Sequence, residues 1–211
     1  MAATTPPNDV RLFDGTSLTG WEMSTIRDEP GQDDPGRAEL RDGAIVTVGG
    51  TGLGLLWHTM PLPADFVLTL EWRLGVPEGN SGVLLRFPDI RTRGYRNTAW
   101  VASHHGFEVQ IDGLARGEPQ GAPKFHTGAI YDQDAQVHTK VPVDHTAWNR
   151  FEIEARGQVY TVALNGRTVT RFENRDPERG LPTAPGRPSF LGLQCYSGYE
   201  AWFRGLVVRP L

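Results

Sequence analysis

"RFEIEARGQVYTVALNGRTVTRFE", residues 150–173, decides the fold. It reads as consecutive strands broken at Arg156-Gly157 and at Asn165-Gly166. Asn-Gly between two apolar runs is a strong signal for a two-residue hairpin. Upstream, "DFVLTLEWRLG" (65–75) alternates in the same way. Phe66, Leu68, Leu70, Trp72 and Leu74 share one face, and Val67, Thr69, Glu71 and Arg73 share the other. "GAIVTVG" (43–49), "GLLWHTM" (54–60), "SGVLLRF" (81–87) and "FEVQID" (107–112) add further strands, and "SFLGLQCYS" (189–197) and "AWFRGLVVRPL" (201–211) close the chain. "RDEPGQDDPGRA" (27–38) is a loop by composition. No window keeps a 3.6-residue apolar period for three turns, so no substantial helix is expected. About ten short strands with Gly-rich turns predict an antiparallel β-sandwich or barrel.

The 211 residues fit one domain over 10–211, preceded by a frayed polar tail over 1–9. The formal charge of −4 and the lack of any basic block argue against nucleic acid or an anionic membrane as partner. No apolar run reaches the roughly 18–20 residues needed to span a bilayer. The one cysteine, Cys195, excludes an intramolecular disulfide and reads as a packed thiol. The N-terminal stretch lacks the basic and apolar regions of a secretory leader, so the expectation is a cytoplasmic chain, or a secreted one if a leader has been removed.

Two segments break the strand rhythm, 88–105 and 113–147, and both flank "GFEVQIDG" (106–113). Loops this long in a compact fold are usually functional or disordered. On the strand between them Phe107, Val109 and Ile111 share one face, and Glu108, Gln110 and Asp112 share the other. The polar face is either solvated or binds something. The Cα atoms of Glu108 and Asp112 lie about 13 Å apart on a straight strand. That suits the roughly 6.5–9.5 Å carboxyl spacing of an inverting glycosidase better than the 5–5.5 Å of a retaining one. An amide such as Gln110 offers donor and acceptor together, which suits sugar hydroxyls. In "GNSGVLLR" (79–86), strand alternation places Arg86 on the face of Gly82 and Leu84, with Glu108 or Glu71 as its carboxylate partner. Five histidines fall between 104 and 145, so a general base such as His105 or His126 is available. Neither HExxH nor a Cys/His zinc spacing occurs. Trp57, Trp100, Tyr131, Tyr196 and Tyr199 are candidate stacking rings. Trp21, Trp72, Trp148 and Trp202 are candidate core residues.

The ordered set "LFDGTSLTGWE", "DFVLTLEWRL", "NSGVLLRF", "GFEVQIDG", "HTGAIYD", "AWNRFEIEARGQVYTVALNGRTV", "FLGLQCYSG" and "AWFRGLVVRPL" resembles the 3-keto-disaccharide hydrolase domain family from about residue 10 onward. The resemblance implies a concanavalin A-like β-sandwich (jelly roll) of two curved antiparallel sheets, with a ligand groove on the concave one. It also implies cleavage of glycosides oxidised to a ketone at C3. The polar groove positions it carries over are Asn80, Ser81, Arg86, Glu108, Gln110 and Tyr131. Tyr196 stands near the position where the family has a His after Leu-Gln, and Arg204-Gly205 replaces its Arg-Asn.

A C3 ketone acidifies the C2 proton, so a base can remove that proton while the C1 substituent leaves, and hydration completes net hydrolysis. The site then needs a base (Glu108, His105 or His126), an electrophile for the enolate (Arg86, or a divalent metal held by carboxylates and His) and an acid at the leaving oxygen (Tyr131). Asn80, Ser81, Gln110, Glu71, Trp100 and Gln194 are the candidate substrate contacts. The residues fix no cofactor and leave a divalent metal as one option, and the expected partner is a carbohydrate or glycoside. Two other readings stay open: a non-catalytic, lectin-like carbohydrate-binding module, and a divergent relative acting on another enolisable substrate in secondary metabolism.

Overall fold

A computed structural model describes residues 9–28 and 30–211. The expected frayed tail lies, apart from Asp9, outside these residues. Strands in chain order are β1 (Val10–Arg11), β2 (Trp21–Met23), β3 (Arg37–Arg41), β4 (Ala44–Val48), β5 (Gly54–His58), β6 (Phe66–Leu74) and β7 (Asn80–Phe87). A two-turn helix, α1 (Ala99–His105), precedes β8 (Phe107–Asp112). A 3-10 turn (Pro123–Phe125) and β9 (Gln136–His138) follow. Then come β10 (Asn149–Arg156), β11 (Val159–Leu164), β12 (Arg167–Glu173), β13 (Phe190–Cys195) and β14 (Glu200–Pro210).

The strands form two sheets with antiparallel pairing throughout. The larger runs β3-β4-β14-β6-β10-β11-β12-β9, with β1 added on β14, and the smaller runs β2-β5-β13-β7-β8. The predicted hairpin is present: Asn165 and Gly166 both take positive φ, 51° and 79°, as a tight β10–β12 meander requires between β11 and β12. The main core lies between the sheets. Leu68, Leu70, Trp72, Phe151, Ile153 and Phe203 of the large sheet meet Leu56, Val83, Leu85, Val109, Ile111 and Leu193 of the small one. Cys195 is buried in this core, and burial raises its thiol pKa to about 12, so it is a packed thiol.

The outer face of the small sheet is divided in two. Leu55, Trp57, Leu84, Phe87 and Phe190 form an apolar half, onto which α1 packs Ala99, Val101 and Ala102. Trp57, a candidate stacking ring, is therefore covered. Asn80, Gly82, Gln110, Asp112 and Gln194 occupy the other half. The helix is too short for a three-turn periodicity test. It starts where the Asn97 side chain accepts from the Ala99 N–H and donates to the carbonyl of Leu53, the residue before β5. Among the described residues no helix is long and apolar enough to cross a membrane.

Candidate functional site

The polar face of β8 is not solvated: Glu108, Gln110 and Asp112 are all buried. Register explains how they converge with neighbouring strands. Asn80 pairs with Asp112, Gly82 with Gln110 and Leu84 with Glu108, while Gly192 of β13 pairs with Leu84 from the other side. Gln194, two residues beyond Gly192, therefore joins the same face. The motif containing Tyr131 lines the free edge of β8. Gly128 N–H donates to the Gln110 carbonyl, Gln110 N–H to the Ala129 carbonyl, and Tyr131 N–H to the Glu108 carbonyl. That pseudo-strand sets Tyr131 beside Glu108. Trp100 and Ser103 of α1 close the other side. The result is one cavity of about 210 Å³ lined by Asn80, Trp100, Glu108, Gln110, Tyr131 and Gln194, together with Leu53, Ser103, Arg116 and Tyr196.

Glu108 is the most perturbed group here. Burial, with a smaller contribution from Asp112, raises its pKa to about 8. Its Oε1 is buried without a hydrogen-bond partner. The carboxyl lies directly over Gly82, where an added Cβ would come 1.9 Å from Oε1. Only glycine at 82 leaves room for it. Asn80 Oδ1 and Gln194 Oε1 are likewise buried without a partner. Buried acceptors without partners cost free energy, so three around one cavity mark a place where a ligand supplies donors. Burial, with Glu108 the next contributor, raises the Tyr131 pKa, which keeps its hydroxyl protonated. The Trp100 ring is more than a third exposed and stacks on His104 at 5.5 Å, presenting a flat apolar surface at the rim.

Asp112 serves the site indirectly. Its carboxylate accepts from the backbone N–H groups of Leu114 and Arg116, from Asn80 Nδ2 at 3.1 Å and from Arg116 Nη2 at 3.2 Å. It thereby fixes the turn after β8, leaves the Asn80 oxygen free, and positions Arg116. Arg116, absent from the sequence-based expectations, also donates to the Tyr199 hydroxyl and the Glu78 carbonyl, and its Nε is buried without a partner. Its only sequence signal is the Asp-x-x-x-Arg spacing at the end of β8.

Five expected site residues lie elsewhere. Arg86 sits at a β-bulge where the β7–β13 register shifts between Phe190 and Leu191, and its φ is +56°. The extra residue reverses the alternation: Phe87 turns to the α1 side, and Arg86 swings to the rim of the opposite sheet. There it donates to the carbonyls of Gly157, Ala64 (2.6 Å) and Ala155 (3.2 Å), with Asp65 at 3.5 Å, and lies beside the rings of Phe66 and Tyr160. Ser81 alternates with Val83 into the space between the sheets and donates to the Gln194 carbonyl. Glu71 is on the outer face of the large sheet, paired with Arg204 at 2.7 Å rather than with Arg86. His105 ends α1 and shares a cavity of about 40 Å³ with Arg86. His126 lines a separate cavity of about 110 Å³ with His145, Thr127 and Lys140. Among the described residues no three His, Cys, Asp or Glu side chains group to hold an ion. The cavity's side-chain oxygens come from one carboxyl (Glu108), three amides (Asn80, Gln110, Gln194) and the hydroxyls of Ser103, Tyr131 and Tyr196.

A model of the 3-keto-alpha-glucoside-1,2-lyase-like domain matches residues 8–209. The chain belongs to this family. Membership places it among carbohydrate-active, glycosidase-type enzymes. Solved structures bear out the jelly-roll sandwich. A putative glycosyl hydrolase from Parabacteroides distasonis superposes with a TM-score of 0.71 at 18% identity, covering 97% of this chain and 94% of that one. A second putative glycosyl hydrolase from that organism gives 0.67 at 24% identity, covering 96% and 99%. A Bacillus subtilis protein of unknown function with a galectin-like fold gives 0.64 at 12% identity, covering 95% and 94%. At these identities the likeness establishes the fold alone. No curated protein sequence matches the chain.

Proposed function

We propose that the chain cleaves 3-keto-glycosides by β-elimination followed by hydration, with Glu108 as the base. The observation that carries this reading is the Glu108 carboxyl: buried, unpartnered at Oε1, seated on Gly82 and raised to a pKa of about 8. Its conjugate base is far stronger than an ordinary carboxylate and still forms near neutral pH, which suits removal of a proton next to a ketone. Glu108 takes the C2 proton, the electron pair moves onto the C3 oxygen, and the C1–O bond breaks. Tyr131, held protonated, supplies the proton to the leaving oxygen. Water then adds to the enone, giving net hydrolysis. Arg116 takes the part of the enolate stabiliser through its free Nε–H, replacing Arg86 in that role. The oxygens of Asn80 and Gln194 accept from sugar hydroxyls, Gln110 adds an amide, and Trp100 stacks on the ring. An adjoining open chamber of about 370 Å³ shares Ser103 and Tyr131 with the cavity and has room for the leaving group.

The test is to incubate the chain with a 3-keto-disaccharide and with the unoxidised disaccharide, following released sugar and transient enone absorbance. Cleavage of the keto-sugar alone supports the proposal. Tight binding of either sugar without turnover supports the lectin-like reading, which the exposed Trp100 platform and the amide oxygens also fit.

A further inference from the structure

Two imidazoles outside the Glu108 cavity meet between the segment after the 3-10 turn and β9. The rings of His126 and His138 lie 5.4 Å apart between centroids, tilted by 56°. The hydrogen-bond network fixes the tautomer of each. His126 Nε2 is 2.9 Å from the Gly121 carbonyl, which can only accept, so Nε2 carries the proton. His138 Nδ1 is 2.7 Å from the Thr170 hydroxyl, and that hydroxyl already donates its one proton to the Gly128 carbonyl at 2.7 Å. His138 Nδ1 must therefore donate to Thr170. What remains on each neutral ring is a lone pair, at His126 Nδ1 and at His138 Nε2. These two atoms are both buried and both without a partner.

We infer that His126 and His138 form a bis-imidazole site for a borderline divalent cation of the zinc or copper class, with water completing its shell. Each ring already shows the supporting hydrogen bond on its far nitrogen that orients a metal-bound histidine. The spacing also fits. With a metal–nitrogen bond of about 2.0–2.1 Å, each ring centroid stands about 3.2 Å from the ion. Two centroids 5.4 Å apart then subtend about 115° at the ion, close to tetrahedral. Imidazole suits zinc and copper and is a poor match for calcium or magnesium. Lys140 and Asp112 line the cavity beside His126.

The experiment titrates the full, untagged chain with Zn²⁺ against a chromophoric chelator. One ion per chain is expected, with His126→Ala and His138→Ala each weakening binding at least tenfold. His104→Ala, an exposed control, leaves it unchanged. His138→Gln replaces His138→Ala if the alanine variant does not fold, with the same expected loss. With Cu²⁺, paramagnetic resonance shows two imidazole nitrogens in the parent and one in either single variant. Failure to bind zinc at about 100 µM, or equal affinity in the parent and both variants, overturns the site.

Discussion

Replacing Arg86 with Met separates a structural role from a chemical one. The Arg86 side chain has no exposed surface, and its guanidinium serves three backbone carbonyls at the ends of β6 and β10 and in the β10–β11 turn, linking the small sheet to the large one. Methionine keeps much of the volume and none of the donors. The Ala155 contact is fully buried, so that carbonyl loses its guanidinium donor with no access to water. The contacts to Ala64 and Gly157 are part-buried, and those carbonyls regain water. At about 1–3 kcal/mol for the one group left unsatisfied, with about 1 kcal/mol more for the packing against Phe66 and Tyr160 lost in part, the total is about 2–4 kcal/mol. For a chain of this size that lowers the melting temperature by about 4–16 °C. Urea unfolding followed by tryptophan fluorescence measures the loss, and turnover is read at about 15 °C, where the variant stays folded. The expected result is a destabilised chain with turnover per folded molecule within about threefold of the parent. An unchanged unfolding midpoint with turnover down a hundredfold would refute the reasoning and return Arg86 to the chemistry.

Other outcomes follow from the cavity. Gly82→Ala pushes the Glu108 carboxyl off its seat without altering it, and should lower kcat by about 10²-fold, checked by steady-state kinetics with folding confirmed by circular dichroism. Glu108 holds its proton in the folded chain up to about pH 8 but loses it near 4.5 once unfolded. The unfolded chain then binds fewer protons across that window, so stability falls as pH rises, by at most about 1.4 kcal/mol per unit. Denaturation of Glu108→Gln between pH 5 and 8 should show that slope removed; an identical slope in both proteins would mean Glu108 is not the buried acid. Trp100→Ala should raise KM about tenfold with kcat little changed. Tyr131→Phe should lower kcat by about 10²–10⁴-fold, and equal kcat would exclude it as the acid.

Much of the fold was legible because alternation and turn chemistry are local. The face assignment of β6, the Asn165-Gly166 hairpin and the span Phe107–Asp112 all appear as read. The short strands β1, β2, β3 and β9 were not, since two to five residues carry too little periodicity beside loop-like composition. The helix Ala99–His105 was hidden for a similar reason. Within the site, strand parity put Glu108 and Gln110 on one face, and the family resemblance added Asn80; that Asn80 and Gln194 join them depends on the register between strands. Arg86 could not be placed that way, because one bulged residue inverts parity and nothing in "GVLLRF" announces a bulge. Arg116 escaped because its position depends on the turn that Asp112 builds, a tertiary outcome. Whether a loop histidine reaches β8 is also a tertiary matter, and here His105 and His126 go to other cavities.

The central claim is that Glu108, with its raised pKa, is the base. The most direct measurement is the pH profile of kcat/KM on a 3-keto-disaccharide for the parent and Glu108→Gln. The account predicts a rise through a single ionisation near pH 8 in the parent, and a loss of about 10²–10⁴-fold with no such ionisation in the variant. A variant that keeps the parent's rate and profile would contradict it.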